Sequence, residues 1–138
     1  MVYLTRTERF NAAHKLWVED WTPEKNLATF GKCSNPNWHG HNYYLEVTVR
    51  GTPDPVTGFV LDAKKLSDIV KREVIEHIDH RNVNLDVEFF PKHLQPTTEN
   101  LAITIFNRLV EHVKPLGAEL HRIRLRETET IYADYYGE

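Results

Sequence analysis

Residues 2–14 begin with the alternation of a β-strand: Val2, Leu4, then Thr5 and Thr7, with Phe10 closing a polar run and His14 near the end. Residues 42–50 predict a second strand. Leu45, Val47 and Val49 share one face there and Tyr44, Glu46 and Thr48 the other, because successive strand side chains point to opposite sides. Gly51 to Gly58 carries turn chemistry in Pro53, Asp54, Pro55 and Gly58, and Phe59-Val60-Leu61 reads as a short extended piece. Asp62 then caps a helix over about residues 63–77, with Leu66, Ile69, Val70 and Val74 at helical spacing. Pro96-Thr97-Thr98-Glu99-Asn100 opens a second helix, with Thr97 or Thr98 as N-cap and Leu101, Ile105, Leu109 and Val113 inward. Residues 119–126 set Leu120, Ile123 and Leu125 against Arg122, Arg124 and Arg126, with a phase slip at the start, and a last strand covers about residues 130–136.

The order β-β-α-α-β-β predicts an α+β fold, an antiparallel four-stranded sheet with two helices on one face. The other face is then solvated or covered by another subunit. Tyr43, Tyr44, Tyr132, Tyr135 and Tyr136 make it more apolar than a free face should be, which points to oligomerisation. Residues 15–38 and 79–96 read as long irregular stretches. The first carries Trp17, Trp21, Phe30 and Trp38, so it is expected to pack over its own core or a neighbouring subunit rather than to act as a linker.

At 138 residues the chain is read as one domain, 1–138, able to bury its own core. With 41% apolar and 27% charged residues it is expected to be folded and soluble, and a net charge of −3 gives no support to nucleic-acid binding. No apolar run is long enough to span a membrane, and Met1 to Arg6 lacks the apolar core of a signal peptide. One cysteine excludes an internal disulfide and suggests a reducing, cytoplasmic setting.

The chemistry concentrates in Cys33-Ser34-Asn35-Pro36-Asn37-Trp38-His39-Gly40-His41-Asn42-Tyr43. His39 and His41 are two apart at a strand start, so both imidazoles share a face. If the first two strands pair antiparallel, His14 joins them, and three imidazoles with one open position form the donor set of a catalytic zinc site. Cys33 reads as a small buried hydrophobe, as a fourth ligand, or as a base whose thiolate is favoured by Lys32 or by a bound metal. Asp79-His80 is either a polar helix exit or a carboxylate–imidazole pair in which the carboxylate fixes the tautomer. Glu127 ends the third long strand, where a carboxylate can accept two hydrogen bonds from an amidine-like ring edge or stay solvated. His77, His93, His112 and His121 show no partner pattern.

Together these segments resemble the 6-pyruvoyl tetrahydropterin synthase family. The likeness rests on Phe10 to His14, Phe30 to Tyr43, Asp54 to Gly58, Asp79 to Asn82, Pro96 to Asn100, Glu127 and the ending Tyr136-Gly137-Glu138. It implies the tunnelling fold, a homohexamer of two trimers whose sheets close into a barrel, and sites between subunits. It implies one zinc per subunit on His14, His39 and His41, catalytic Cys33, Asp79 and His80, Glu127 anchoring a pterin, and Thr97, Thr98 and Glu99 lining its pocket. The implied reaction converts 7,8-dihydroneopterin triphosphate to 6-pyruvoyl tetrahydropterin with loss of triphosphate, which suits Mg²⁺; Lys32 and Arg81 are candidates by position for holding the phosphates.

The related 6-carboxy-5,6,7,8-tetrahydropterin synthases of queuosine biosynthesis use the same substrate and release acetaldehyde as well. Their usual three residues between the cysteine and His-Gly-His contrast with the five here, Ser34 to Trp38, which favours the pyruvoyl reaction. Trp38 stands where the family has a small residue. A branch with glutamate in place of the cysteine is disfavoured by Cys33. A zinc-stabilised binding module without catalysis, and a three-histidine cupin-type enzyme, are the other classes to weigh; the two amphipathic helices argue against the latter.

Overall fold

The computed structural model describes residues 1–138. The chain runs β1 (Val2–His14), α1 (Pro23–Phe30), a 3₁₀ turn (Gly31–Ser34) and β2 (His39–Gly51). It continues through α2 (Ala63–Val70), a π-helical stretch (Lys71–Ile75), α3 (Glu76–Ile78) and β3 (Arg81–Asn82), then α4 (Thr98–Val113), β4 (Glu119–Thr128) and β5 (Ile131–Tyr135). Segments α2 to α3 form one unbroken helical rod where a single helix was expected. The fold is α+β, but the sheet has five strands in the order β3-β1-β2-β4-β5 rather than four. The extra strand is two residues long and lies parallel on the outer edge of β1, Ala12 opposite Arg81 and Ala13 opposite Asn82. So short a strand leaves no alternating pattern to read.

β1 and β2 pair antiparallel over their full length, from Val2↔Gly51 to His14↔His39. Phe10, Ala12 and His14 on β1 and Tyr43, Leu45, Val47 and Val49 on β2 point to the helical side and are buried. The predicted inward residues of both helices are buried against them: Leu66, Ile69, Val70 and Val74, then Leu101, Ile105, Leu109 and Val113. Burial of each such side chain contributes about 1.5–3 kcal/mol, so this layer supplies most of the driving force. Asp62 caps α2 by accepting from the Lys64 amide at 2.9 Å, and Thr97 caps α4 by accepting from Asn100 at 3.2 Å. The phase slip at the start of β4 is a β-bulge. Thr48 faces Arg122 and Val49 faces Leu120, so His121 is the additional residue.

The open sheet face is more charged than the sequence reading held. Tyr43 is on the other side, fully buried and stacked on Phe10 at 4.8 Å, and Tyr135 packs edge-on against Phe106. Beside the exposed Tyr44 and Tyr132, the open face carries Arg122 and Arg124 with Glu46 and Asp134; Asp134 takes two hydrogen bonds of 2.7 Å from Arg124. Phe59-Val60-Leu61 forms no strand.

Residues 15–38 are not irregular throughout. Thr22 accepts from the Lys25 amide at 3.1 Å, and Pro23 follows as the first residue of α1. The helix escapes a periodicity reading because it has no apolar stripe: Asn26 is its buried residue, and Leu27 is exposed. Beyond β1 the backbone is bracketed by side-chain amides in place of a neighbouring strand. Asn84 takes the Lys15 N–H and donates to its C=O, Gln95 does the same for Trp17, and Asn26 for Val18, all at 2.8–3.0 Å. Asn26 also donates to Thr22 O at 3.1 Å. Asn26→Ala leaves the Val18 N–H without its partner, while Val18 O and Thr22 O keep the Trp21 and Asn26 N–H groups as donors, and a loss of about 1–2 kcal/mol is expected. Urea unfolding should show a lower midpoint with unchanged slope; an unchanged midpoint would show that the bracket does not hold this segment.

Candidate metal and pterin site

His14 and His39 form the last pair of the β1–β2 ladder, and His41, opposite Ala12, follows on the same face as His39. The register therefore gathers three imidazoles at one end of the sheet. Ring centres are 4.5 Å apart for His14–His39 and 5.1 Å for the other two pairs, and one ring nitrogen from each lies within 4.8 Å of the others. His14 Nδ1 lies 2.7 Å from Pro96 O, a contact that fixes Nδ1 as the donor and turns Nε2 into the cluster. His14 Nε2 and both ring nitrogens of His39 are buried without a hydrogen-bond partner. Buried lone pairs left bare are costly, and a metal would satisfy them. Burial first, and the neighbouring His39 and His41 after it, push the His14 pKa down to about 4 despite the Pro96 contact. Burial and His41 lower that of His39. Both therefore stay neutral near pH 7, the form in which imidazole binds a metal. The three residues fit a zinc ion.

Six of the residues singled out in the sequence line one cleft of about 240 Å³: His14, Cys33, Thr97, Thr98, Glu99 and Glu127, with Leu16 and residues 131–133 completing the wall. Cys33 is brought there by its carbonyl, which accepts from the Leu16 N–H at 2.8 Å, two residues beyond His14. Its thiol is raised, not lowered as Lys32 would have it: burial and the Glu127 charge both oppose the thiolate. Glu127 Oε1 lies 3.5 Å from Nε2 of both His14 and His41, so this carboxylate turns into the cluster rather than to solvent.

Asp79 and His80 do form a pair. His80 has φ +62°, uncommon outside glycine, and Nδ1 of its ring lies 3.0 Å from Asp79 Oδ1. The same oxygen accepts from the Asn11 N–H at 2.9 Å, and the His80 N–H donates to Asn11 O at 2.7 Å. The Asn11 N–H, then His80, hold the Asp79 carboxyl below its usual range. Yet Asp79 lines a different cleft, with Arg9, Asn11, Asn42 and Tyr44, and His80 is largely exposed. Within one chain the pair is not brought into the cleft of Cys33.

Two features were missed in the sequence. Pro96 acts through a carbonyl, which no side-chain pattern reveals. Tyr43 stands beside His41 at 5.7 Å with its hydroxyl buried and unpaired, and burial, Glu127 and Cys33 all raise its pKa, keeping it a neutral donor. For Cys33, a raised pKa means that the reactive thiolate appears only at higher pH. In metal-free protein, Glu127→Gln removes the opposing charge. Iodoacetamide alkylation of Cys33 should then move to lower pH; an unmoved rate profile would show that Glu127 does not act on the thiol.

The family model for 6-pyruvoyl tetrahydropterin synthase matches residues 3–138. The chain is 40% identical over 135 residues to the 6-pyruvoyl tetrahydrobiopterin synthase of Pongo abelii, covering 98% of this chain and 91% of that one. It is 41% identical over 137 residues to the enzyme of the same name from Poecilia reticulata, covering 99% and 90%. The solved structure of Caenorhabditis elegans 6-pyruvoyl tetrahydropterin synthase superposes with a TM-score of 0.87 at 39% identity, covering 99% of this chain and 96% of that one. With the gathered histidines and the cleft beside them, these likenesses lead to one conclusion: the chain belongs to the 6-pyruvoyl tetrahydropterin synthase family.

Proposed function

We propose that this protein is a zinc-dependent 6-pyruvoyl tetrahydropterin synthase, a lyase that converts 7,8-dihydroneopterin triphosphate to 6-pyruvoyl tetrahydropterin and triphosphate. The observation that carries the reading is the convergence of three imidazoles beside a cleft that His14 shares with Cys33 and Glu127. Relatives covering nearly the whole chain bear the name of that activity.

His14, His39 and His41 would hold the zinc. When bound, zinc supplies a Lewis acid that polarises the substrate's side-chain oxygens and makes the neighbouring carbon-bound protons removable. Glu127 accepts hydrogen bonds from the amidine-like edge of the pterin, and Thr97, Thr98 and Glu99 at the start of α4 border the same cleft. Cys33 takes a proton as thiolate. Its own surroundings raise its pKa, so the acidifying influence has to be a cation at the histidines. His80, oriented through Nδ1 by Asp79, presents Nε2 to return a proton. Because Asp79 and His80 face another cleft of their own chain, we assign them to the site of a neighbouring copy. The site is then shared between subunits of a homohexamer of two trimers, with the tunnelling fold closing its sheets into a barrel. The open outer edge of β1 from Val2 to Phe10 and that of β5 suit such closure. Mg²⁺ accompanies the triphosphate, residues 1–138 act as one domain, and a working Cys33 thiol suits a reducing compartment such as the cytoplasm. No helix is long and apolar enough to cross a membrane.

Incubation of the zinc-loaded protein with 7,8-dihydroneopterin triphosphate, followed by mass spectrometry, should yield 6-pyruvoyl tetrahydropterin and triphosphate. Release of acetaldehyde would replace the reading with the 6-carboxy reaction, and untouched substrate would reject both. The shared site makes a separate prediction. Cys33→Ala and His80→Ala should each be inactive alone, and co-expression of the two should restore about a quarter of the wild-type rate, since some sites then draw both intact residues from different chains. Absence of recovery would place all catalytic groups within one chain.

A further inference from the structure

The metal-binding histidines are not equally well held. His14 is fixed by the Pro96 carbonyl, but neither ring nitrogen of His39 has a protein partner. Whichever nitrogen takes the metal, the other finds no acceptor to set the ring's orientation, the usual device in such sites. The direction of His39 is therefore set by the backbone it hangs from.

That backbone is unusual. Trp38, immediately before His39, has φ +69°, a left-handed conformation that large side chains rarely adopt. Its N–H donates to Asn35 O at 3.2 Å and closes the turn into β2. Its indole lies against Lys15, with Nζ 4.4 Å from the ring centre, and Trp17 flanks the same ammonium at 5.8 Å. Lys15 follows His14 as Trp38 precedes His39, and His14 and His39 are the last ladder partners. The Lys15–Trp38 pair is thus the next cross-strand rung, made by side chains where backbone pairing has stopped. Lys15 is itself anchored, since Asn84 both accepts from its N–H and donates to its C=O at 3.0 Å.

We propose that Lys15 and Trp38 form a cation–π clamp that positions His39 for the metal. It rests on the reading of His14, His39 and His41 as the zinc site. The clamp holds the left-handed turn in place and so does for His39 what the Pro96 carbonyl does for His14. Neither residue touches the substrate in this role.

The test is metal binding by chelator-stripped protein, with Zn²⁺ titrated against a chromophoric competitor and Co²⁺ followed by its visible absorption. Trp38→Gly, which frees the backbone and removes the indole, should weaken Zn²⁺ binding about 10-fold and alter the Co²⁺ spectrum. Lys15→Met, which keeps the aliphatic stem, should weaken it about 2–5-fold. The double variant should bind no more weakly than Trp38→Gly alone, because both remove one interaction. Trp38→Phe should retain most of the affinity. Melting of the metal-free variants is recorded in parallel. Wild-type affinity in Lys15→Met and Trp38→Gly, additive losses in the double variant, or losses that track melting would overturn the clamp while leaving the zinc site intact. An altered KM for the pterin in Lys15→Met with unchanged metal binding would overturn it too, by making Lys15 a substrate ligand. Failure of the wild-type protein to bind either metal would overturn the zinc site and the clamp together.

Discussion

The pairing register of β1 with β2 is the constraint on which the rest of the molecule depends. It sets His14 opposite His39 and Ala12 opposite His41. A slip of one residue would turn one strand's side chains to the other face. It would separate the imidazoles and at the same time take Phe10 from Tyr43, and either Phe10 and Ala12 or Leu45, Val47 and Val49 from the helices. Core and site thus specify the same register, and the buried apolar layer supplies the free energy that keeps three polar rings together. Gly40 fits this arrangement. A Cβ there would lie 3.1 Å from the Ala12 carbonyl oxygen, a tight contact that would push the two strands apart by a few tenths of an ångström.

The electrostatics follow from what this register buries. Neutral imidazoles, an unpaired phenol and a protonated thiol surround the Glu127 carboxylate. That combination offers lone pairs and one negative charge but no resident cation, a setting made to receive a positive ion. The same ion would reverse the direction in which Cys33 is now pushed. In the proposed reading, metal binding and activation of Cys33 would thereby be two results of one charge. The Asp79–His80 pair lies outside this setting, tied to the opposite edge of β1 through Asn11. Its distance in function from its own Cys33 is what makes a second copy part of the proposal.

Side-chain periodicity and caps made most of the fold legible. Leu45, Val47 and Val49, and the helical faces of α2 and α4, were readable because burial imposes a period on them. The bulge at His121 was legible only as a broken period. What escaped was held by other means. β3 is too short for any pattern, α1 buries an asparagine in place of an apolar stripe, and the segment after β1 is held by Asn84, Gln95 and Asn26 acting on distant backbone. In the site, the three histidines and Glu127 were legible as residue types at strand ends, and Cys33 as the lone cysteine ahead of the second strand. The Pro96 carbonyl, the unpaired Tyr43 hydroxyl and the charge acting on Cys33 were not, because they depend on which groups meet across long sequence separations.

The central claim is that zinc sits on three imidazoles from two strand ends, with Cys33 close by but not bound to it. X-ray absorption at the zinc edge of the loaded protein tests this most directly. The account predicts three imidazole nitrogens and one further light atom, all at about 2.0–2.1 Å. A sulfur scatterer at about 2.3 Å would make Cys33 a ligand instead of a base and contradict the account.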